Sequence, residues 1–213
     1  KRDRNYLSCT LLCELGAKTM IKLYMDVSTD IMYIALSKDN TLLDFSVRHG
    51  KRDHAKYLVD RIHLILEKNK LRLDDVNEII VGEGPGSYTG IRIAVTVGKT
   101  FAYAKKIDLY RVSSLIFMSS GFEGLTCVTH DARRGFVFAS IYEDGDVYLN
   151  SKYILLEELK KHAHYKKTNM ITLDEETYKV DLSKIDLHRK LIVDVHSFEP
   201  NYSRLTEAEE NAS

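Results

Sequence analysis

Hydrophobic and polar positions along the chain fall into two periods. Met20 to Asp26, Asp30 to Ser37 and Thr41 to Arg48 are three β-rich runs. The links between them, Val27-Ser28-Thr29 and Lys38-Asp39-Asn40, are short and turn-like, so an antiparallel meander is predicted. From His54 to Lys68 the period lengthens. Ala55, Leu58, Val59, Ile62, Ile65 and Leu66 form one stripe at helical spacing, Tyr57 and Leu64 a weaker second one, with Asp53 at the N-cap and Asn69 near the C-terminal end. Glu78 to Val81 reads as a short buried strand, and Thr89 as the N-cap of a helix from about Gly90 to Lys106.

Between that strand and that helix lies Gly82-Glu83-Gly84-Pro85-Gly86-Ser87-Tyr88-Thr89-Gly90, four glycines and a proline in nine positions. Glycine serves where the chain takes positive φ or another backbone comes close, and a helix start offers free N–H groups to an anion. The spacing is neither a Walker loop, which needs Gly-Lys-Ser/Thr, nor the usual dinucleotide fingerprint. A tight structural turn packing helix on sheet is preferred to phosphate binding.

The helix after the loop is unusual. Ile91, Ile93, Ala94, Val95, Val97, Phe101, Ala102, Tyr103 and Ala104 leave little polar face, and Val95-Thr96-Val97 and Gly98 are poor helix formers. Such a helix must be covered on more than one side, by its own sheet and then by the first helix or a second protein. Ala94, Gly98 and Ala102 are small enough to let another helix approach.

Beyond Ile107, strands are expected at Leu109–Val112, Leu125–Thr129, Gly135–Tyr142 and near Val147–Leu149. Ser113-Ser114 cap a short helix through Met118. A helix at Tyr153–His162 and strands at Asn169–Leu173 and Leu191–Val195 complete the list. The order βββαβα describes half of a ribonuclease-H-like lobe, partly repeated afterwards, so the fold class is α/β with two lobes, the second abbreviated. The expected division is a leader or appended extension over residues 1–19, a first lobe over 20–106, a second over 107–204 and a flexible tail over 205–213. Met20 is the suspected native start.

At 213 residues the chain can bury a substantial core. Its 31 basic residues balance 31 acidic ones, which excludes a dedicated nucleic-acid binder and leaves only local or shared RNA contact. No run approaches the ~18 to 20 apolar residues of a membrane span, so no membrane association is expected. Three cysteines, Cys9, Cys13 and Cys127, make no disulfide framework and fit a reducing cytoplasm. Cys127 should be a buried small hydrophobe.

The candidate chemistry is thin. Asp26-Val27-Ser28-Thr29 after the first strand could be the remnant of a phosphate and Mg²⁺ loop, with Asp26, Ser28, Gly84 and Gly86 as weak nucleotide-binding candidates, but a structural role is favoured. His49 with His54, and His162 with His164, lack metal-site spacing, and no Ser-His-Asp set emerges, so neither a catalytic residue nor a metal site is assigned. Asp131-Ala132-Arg133-Arg134-Gly135 could bind phosphate or RNA backbone, or brace its own turn, the duller and preferred reading. Tyr202 and Arg204 pose the same choice.

Gly84-Pro85-Gly86-Ser87-Tyr88-Thr89-Gly90-Ile91-Arg92-Ile93, then Val112-Ser113-Ser114-Leu115, Asp131-Ala132-Arg133-Arg134-Gly135 and Pro200-Asn201-Tyr202-Ser203-Arg204, together resemble the TsaB (YeaZ) family of bacterial tRNA threonylcarbamoyladenosine biosynthesis proteins. The match runs from about Met20 to Arg204 and is weakest over Tyr153–His196. The resemblance implies an actin-like fold of the sugar kinase, heat-shock and actin superfamily. It implies a non-catalytic scaffold or activator that partners TsaD, which transfers threonylcarbamoyl to N6 of adenosine 37 in tRNAs reading codons that begin with A. The ATPase TsaE joins the complex and TsaC makes the adenylate. ATP and Mg²⁺ belong to the complex and no cofactor to this chain, and tRNA is met through the complex. In that family the first two helices bind the partner, and homodimers use much the same surface. Carried over, this places Leu58, Ile62, Ile65, Ile91, Val95, Gly98 and Ala102 at or near the contact. The alternative is an enzyme in its own right, a weak nucleotide hydrolase or a metallopeptidase of the glycoprotease-like family. The metal-binding His-x-x-x-His of TsaD-like proteins is absent here.

Overall fold

The computed structural model describes residues 19–50, 53–144, 146–170 and 178–202. The three apolar runs form β1 (Ile21–Asp26), β2 (Ile31–Lys38) and β3 (Thr41–His49), an antiparallel meander with Leu23 opposite Leu36 and Tyr33 opposite Val47. After α1 (His54–Lys68), β4 (Glu78–Gly82) joins the sheet parallel to β1, with Ile79 beside Leu23. The glycine loop leads into α2 (Tyr88–Lys105), and β5 (Asp108–Val112) then adds parallel to β4. The resulting order from β5 to β3, through β4, β1 and β2, is that of the ribonuclease-H-like sheet expected from the element pattern.

This sheet is covered on both faces, which is why every residue of β1 is buried. Leu23, Met25, Met32, Ile34, Leu36, Ile79 and Val81 pack under α1 and α2. Tyr24, Tyr33, Ala35 and Ile80 pack on the other side against α3 (Ser114–Ser119) and α5 (Leu182–His188). A second sheet holds β6 (Thr126–Asp131), β7 (Phe136–Glu143), β8 (Asp146–Leu155) and β9 (Asn169–Met170), with β6 to β8 antiparallel and β9 parallel to β6. Cys127, Val137, Ala139 and Ile141 form its core beneath α4 (Leu156–Leu159). Cys127 is buried as expected, and burial pushes its thiol up to about 11.

Several boundaries move, each for a physical reason. The helix expected at Tyr153–His162 shrinks to α4, because Tyr153 and Ile154 are held in β8 opposite Phe138 and Val137. The helix after the glycine loop starts at Tyr88, two residues early, because Ser87 rather than Thr89 is its N-cap and accepts a hydrogen bond from the Gly90 N–H. Asp53 stands at the N-cap of α1 without capping it, since its carboxylate binds the Arg48 guanidinium. Only Leu191 of the expected Leu191–Val195 strand pairs, as part of β10 (Lys190–Leu191) against β5. Both β5 and β10 extend the first sheet beyond residue 106. Asn169 and Met170 are paired as expected; residues 171–173, Cys9, Cys13 and Arg204 lie outside the described residues. No helix among the described residues is long and apolar enough to cross a membrane.

Candidate functional site

Two places were singled out by the sequence: the glycine loop beside Asp26, and the helix pair α1 and α2. At the first, Asp26 ends β1 with its side chain wholly buried. The Ser114 hydroxyl donates to its Oδ1 at 2.6 Å, and the Ser28 hydroxyl and N–H donate to Oδ2 at 2.7 and 3.2 Å. Burial raises the carboxyl above its ordinary range, and these three donors pull it back only in part. Ser114 also accepts from the Gly84 N–H at 3.0 Å, while its own N–H donates to the Gly84 carbonyl at 2.9 Å. One serine at the start of α3 therefore ties the end of β1 to the glycine loop.

The glycines are used by the chain's own backbone. A side chain at Gly90 would overlap the Val27 carbonyl, and one at Gly86 the Ser28 carbonyl. Gly84 has φ near 109° and lies under the Asn201 carbonyl, so both conformation and space demand glycine. The Ser87 N–H donates to the Ser28 carbonyl at 2.6 Å, and the Asn201 N–H to the Glu83 carbonyl at 2.8 Å. Tyr202 stacks on Tyr88 with ring centroids 4.4 Å apart. Asp26, Ser28, Gly84 and Gly86 lie close together, and the Ser28, Gly84 and Ser87 N–H groups are bonded within the protein.

Around the turn after β1, burial holds two imidazoles below the ordinary histidine range. His54 is buried at the start of α1, and burial, then the Arg48 guanidinium, hold it below the ordinary histidine range. Burial depresses His130 too, against the pull of Asp131 and Asp30. A depressed imidazole costs stability once the unfolded chain can take a proton that the folded chain refuses, from about pH 6.5 downward. Asp26 acts in the opposite sense as pH falls, because its raised carboxyl takes its proton first in the folded state. We expect a His54→Gln/His130→Gln double variant to lose less stability, or gain more, between pH 7 and pH 5 than the unaltered protein, read as the urea midpoint; an identical pH profile would refute it.

At the helix pair, Leu58, Ile62, Ile65, Ile91, Val95, Gly98 and Ala102 are all buried in the core of this chain. Gly98 faces Leu109, Val81 and Ile79 of the sheet. The exposed residues include Ala55, Val59 and His63 on α1, four apart, and Thr96 and Thr100 on α2. The extra cover that α2 was expected to need comes partly from residues 192–202. Ile192, Val195 and Phe198 pack against the same core, and the Lys99 ammonium donates to the carbonyls of His196 and Phe198 at 2.8 and 2.7 Å. Tyr103 meets His196 edge-on.

The preferred bracing of the Asp131–Gly135 turn takes a form not foreseen. Asp131 accepts from the Arg133 N–H at 3.0 Å, holding a tip in which Arg133, Arg134 and Gly135 all have positive φ. A buried ion cluster was missed altogether. Lys22 reaches Asp186 at 2.6 Å and Glu78 at 3.7 Å, Arg189 binds Glu78, and Tyr24 donates to Asp186 at 3.1 Å. Its one sequence signal was a lysine inside the otherwise apolar start of β1. Among the described residues, no group of three or more His, Cys, Asp or Glu is placed to hold a metal ion.

Comparison with known proteins gives a consistent picture. A family model described as TsaD, tRNA N6-adenosine threonylcarbamoyltransferase, matches residues 48–198. The chain is similar to the tRNA threonylcarbamoyladenosine biosynthesis protein TsaB of Bacillus subtilis, with 35% identity over 127 residues, 58% of this chain and 56% of that protein. The Escherichia coli protein of the same name is 30% identical over 126 residues, 57% and 54% of the two chains. The chain spans about half the length of these curated relatives. Among solved structures, YeaZ from Pseudomonas aeruginosa superposes with a TM-score of 0.55 at 26% identity, over 64% of this chain and 67% of that one. A crystal structure from the same organism, described as similar to peptidase YeaZ, gives 0.66 at 20% identity over 87% of this chain and 100% of its own. The fold is thus the actin-like, ribonuclease-H-like one.

Proposed function

Since the chain belongs to the family described as TsaD, tRNA N6-adenosine threonylcarbamoyltransferase, we propose that it works in making N6-threonylcarbamoyladenosine at position 37 of tRNAs reading codons beginning with A, as a non-catalytic subunit that binds and activates a TsaD-type transferase. The observation that carries this reading is the state of the loop beside Asp26. In an actin-like fold the turn after β1 and the glycine loop are where phosphates and Mg²⁺ would sit. Here the Val27, Ser28 and Asn201 carbonyls fill the space over the glycines, and Ser28 and Ser114 occupy the Asp26 carboxylate. The names of the TsaB relatives support the pathway.

The partner contact belongs on the outer side of α1 and α2. Leu58, Ile62, Ile65, Ile91, Val95, Gly98 and Ala102 support that surface from beneath, and Val59 and Thr96 stand out on it. ATP and Mg²⁺ would then be held by other subunits, with TsaE and TsaC in their own steps, and the same helix face would serve a homodimer when the chain is alone.

The test is reconstitution. The chain with a TsaD partner, the adenylate-forming enzyme, the ATPase and tRNA should restore the modification, and omission of the chain should abolish it. Val59→Glu and Thr96→Glu, both at exposed positions, should weaken capture of the TsaD partner at least ten-fold by placing a charge in a helix contact, with an unchanged unfolding midpoint. Undiminished capture by both variants would sink the proposed face. Modification, or ATP hydrolysis that vanishes on Asp26→Asn, by the isolated chain would sink the non-catalytic reading.

A further inference from the structure

We propose that the cavity at the base of the first sheet, beneath residues 69–77, is a binding site for a small zwitterion, an α-amino acid with an aliphatic side chain. The site stands apart from the outer face of α1 and α2 and from the turn after β1.

The cavity follows from how α1 is joined to β4. α1 ends at Lys68 above β3, where the Lys68 ammonium reaches Asp44 at 2.8 Å. β4 begins on the far side of β2 and β1. Residues 69–77 must therefore cross the end of the sheet, and they leave a cavity of about 440 Å³ under them. That is room for a small ligand. Ile21 of β1, Leu43 of β3 and Leu71 of the crossing segment give it an apolar wall. Leu43 is 40% exposed and Leu71 half-buried, so the wall can be reached from solvent.

Opposite charges line opposite sides of it. Lys38 of β2 stands directly across from Ile21, which puts both side chains on the α1 face of the sheet, and its ammonium has no partner among the described residues. Asp74 and Asp75 lie toward β4, with Asp74 held by Lys105 at the end of α2 at 2.7 Å. Asp75 Oδ2 accepts from the Arg72 N–H at 2.8 Å, and its Oδ1 is left over. Two amides are fixed beside them. Asn77 Oδ1 accepts from the Ile21 N–H at 2.8 Å, leaving Nδ2 as a donor, while Asn69 Nδ2 donates to Asp44 and to the Ile65 carbonyl, leaving Oδ1 as an acceptor.

β2 and β4 flank β1 at about 4.8 Å each, so the two sides are separated by roughly 10 Å. An α-amino acid carries its charged ends about 3 Å apart, and a hydrogen bond of about 2.8 Å at each end makes a span of roughly 9 Å. Its carboxylate then faces Lys38, its ammonium faces Asp75, and an aliphatic side chain lies on Leu43 and Leu71. A nucleotide would bring phosphates against two aspartates, and a bare cation would leave Lys38 unanswered.

The experiment titrates the full chain with leucine, with leucinamide, which lacks the carboxylate, and with N-acetyl-leucine, which lacks the ammonium, followed by ligand-observed NMR. Leucine should bind with a Kd of about 0.1 to 1 mM, ordinary for so small a ligand, and each blocked form at least about five-fold more weakly. Lys38→Gln should weaken leucine about five-fold and leave leucinamide unchanged. Asp75→Asn, which keeps an acceptor for the Arg72 N–H, should weaken leucine and leave N-acetyl-leucine unchanged. Retained binding of the blocked form shows that each variant is folded. Lys152→Gln, an exposed lysine of β8, should match the unaltered protein. No saturable leucine binding up to about 10 mM, equal binding of all three ligands, or leucine binding undiminished in both cavity variants overturns the inference, as does an equal loss in Lys152→Gln. TsaD association and restored modification are read in separate assays, so the functional reading stands or falls without this site.

Discussion

Gly90→Ala should lower the stability of the protein by about 3 kcal/mol, read as a fall in the urea midpoint at unchanged slope. The new Cβ would overlap the Val27 carbonyl oxygen, a backbone atom that cannot swing aside. Relief requires α2 to lift from the turn after β1, which opens the core beneath Ile91 and breaks the Ser87 to Ser28 hydrogen bond. The control is Gly98→Ala in the same helix. There the Cβ would meet Leu109 Cδ1 at 3.4 Å and Val81 Cβ at 3.8 Å, ordinary contacts. The better helix former should then leave stability level or raise it by about 0.5 to 1 kcal/mol. Two glycines eight residues apart are thus expected to respond with opposite sign. Equal responses would mean that propensity, not the close approach of β1, decides at Gly90.

Asp186→Ala should cost roughly 3 kcal/mol, the second large effect. Asp186 on α5 accepts from the Lys22 ammonium and the Tyr24 hydroxyl of β1, both buried, and lies 3.7 Å from Arg189. Removing it leaves two cations with the single carboxylate of Glu78, and a desolvated charge without full compensation is what makes such deletions severe. Lys22→Met alone leaves the reverse imbalance, two carboxylates with Arg189. The Lys22→Met/Asp186→Ala pair restores balance, so the double variant should be more stable than the sum of its parts by at least 1 kcal/mol. Additive behaviour in that cycle would show that the cluster holds α5 no more tightly than separate surface pairs.

Much of the first sheet was legible because its signals are local. The β-rich runs from Met20 to Arg48 fold as the meander they predict, and the stripe from His54 to Lys68 becomes a helix with those bounds. What stayed hidden depends on residues far apart in sequence. Apolar residues line several sides of α2, so the pattern could not say which of Ile91 and Ile93, or Val95 and Val97, faces the sheet. The structure buries the first of each pair. The further cover that α2 needs was expected from the first helix or a second protein, while part of it comes from Ile192, Val195 and Phe198. Tyr153 and Ile154 resembled the start of a helix because their strand partners, Phe138 and Val137, are not sequence neighbours. At the candidate site, Asp26 and the glycines were readable as a set, and Ser114 and Asn201 stood out only as parts of the family resemblance. That Ser114 bonds Asp26 and Asn201 closes on the glycine loop depends on contacts between residues far apart in sequence.

The strap formed by residues 192–202 has a bearing on how the protein comes off the ribosome. Lys99 finds its carbonyl partners 97 and 99 residues later, and the glycine loop is closed by Asn201. The half made first must therefore wait, with one flank of α2 and the Asp26 turn unsealed, until translation has delivered the strap. During that interval its apolar flank is open to chaperones and to other nascent chains, and its final closure is a long-range, late event in synthesis.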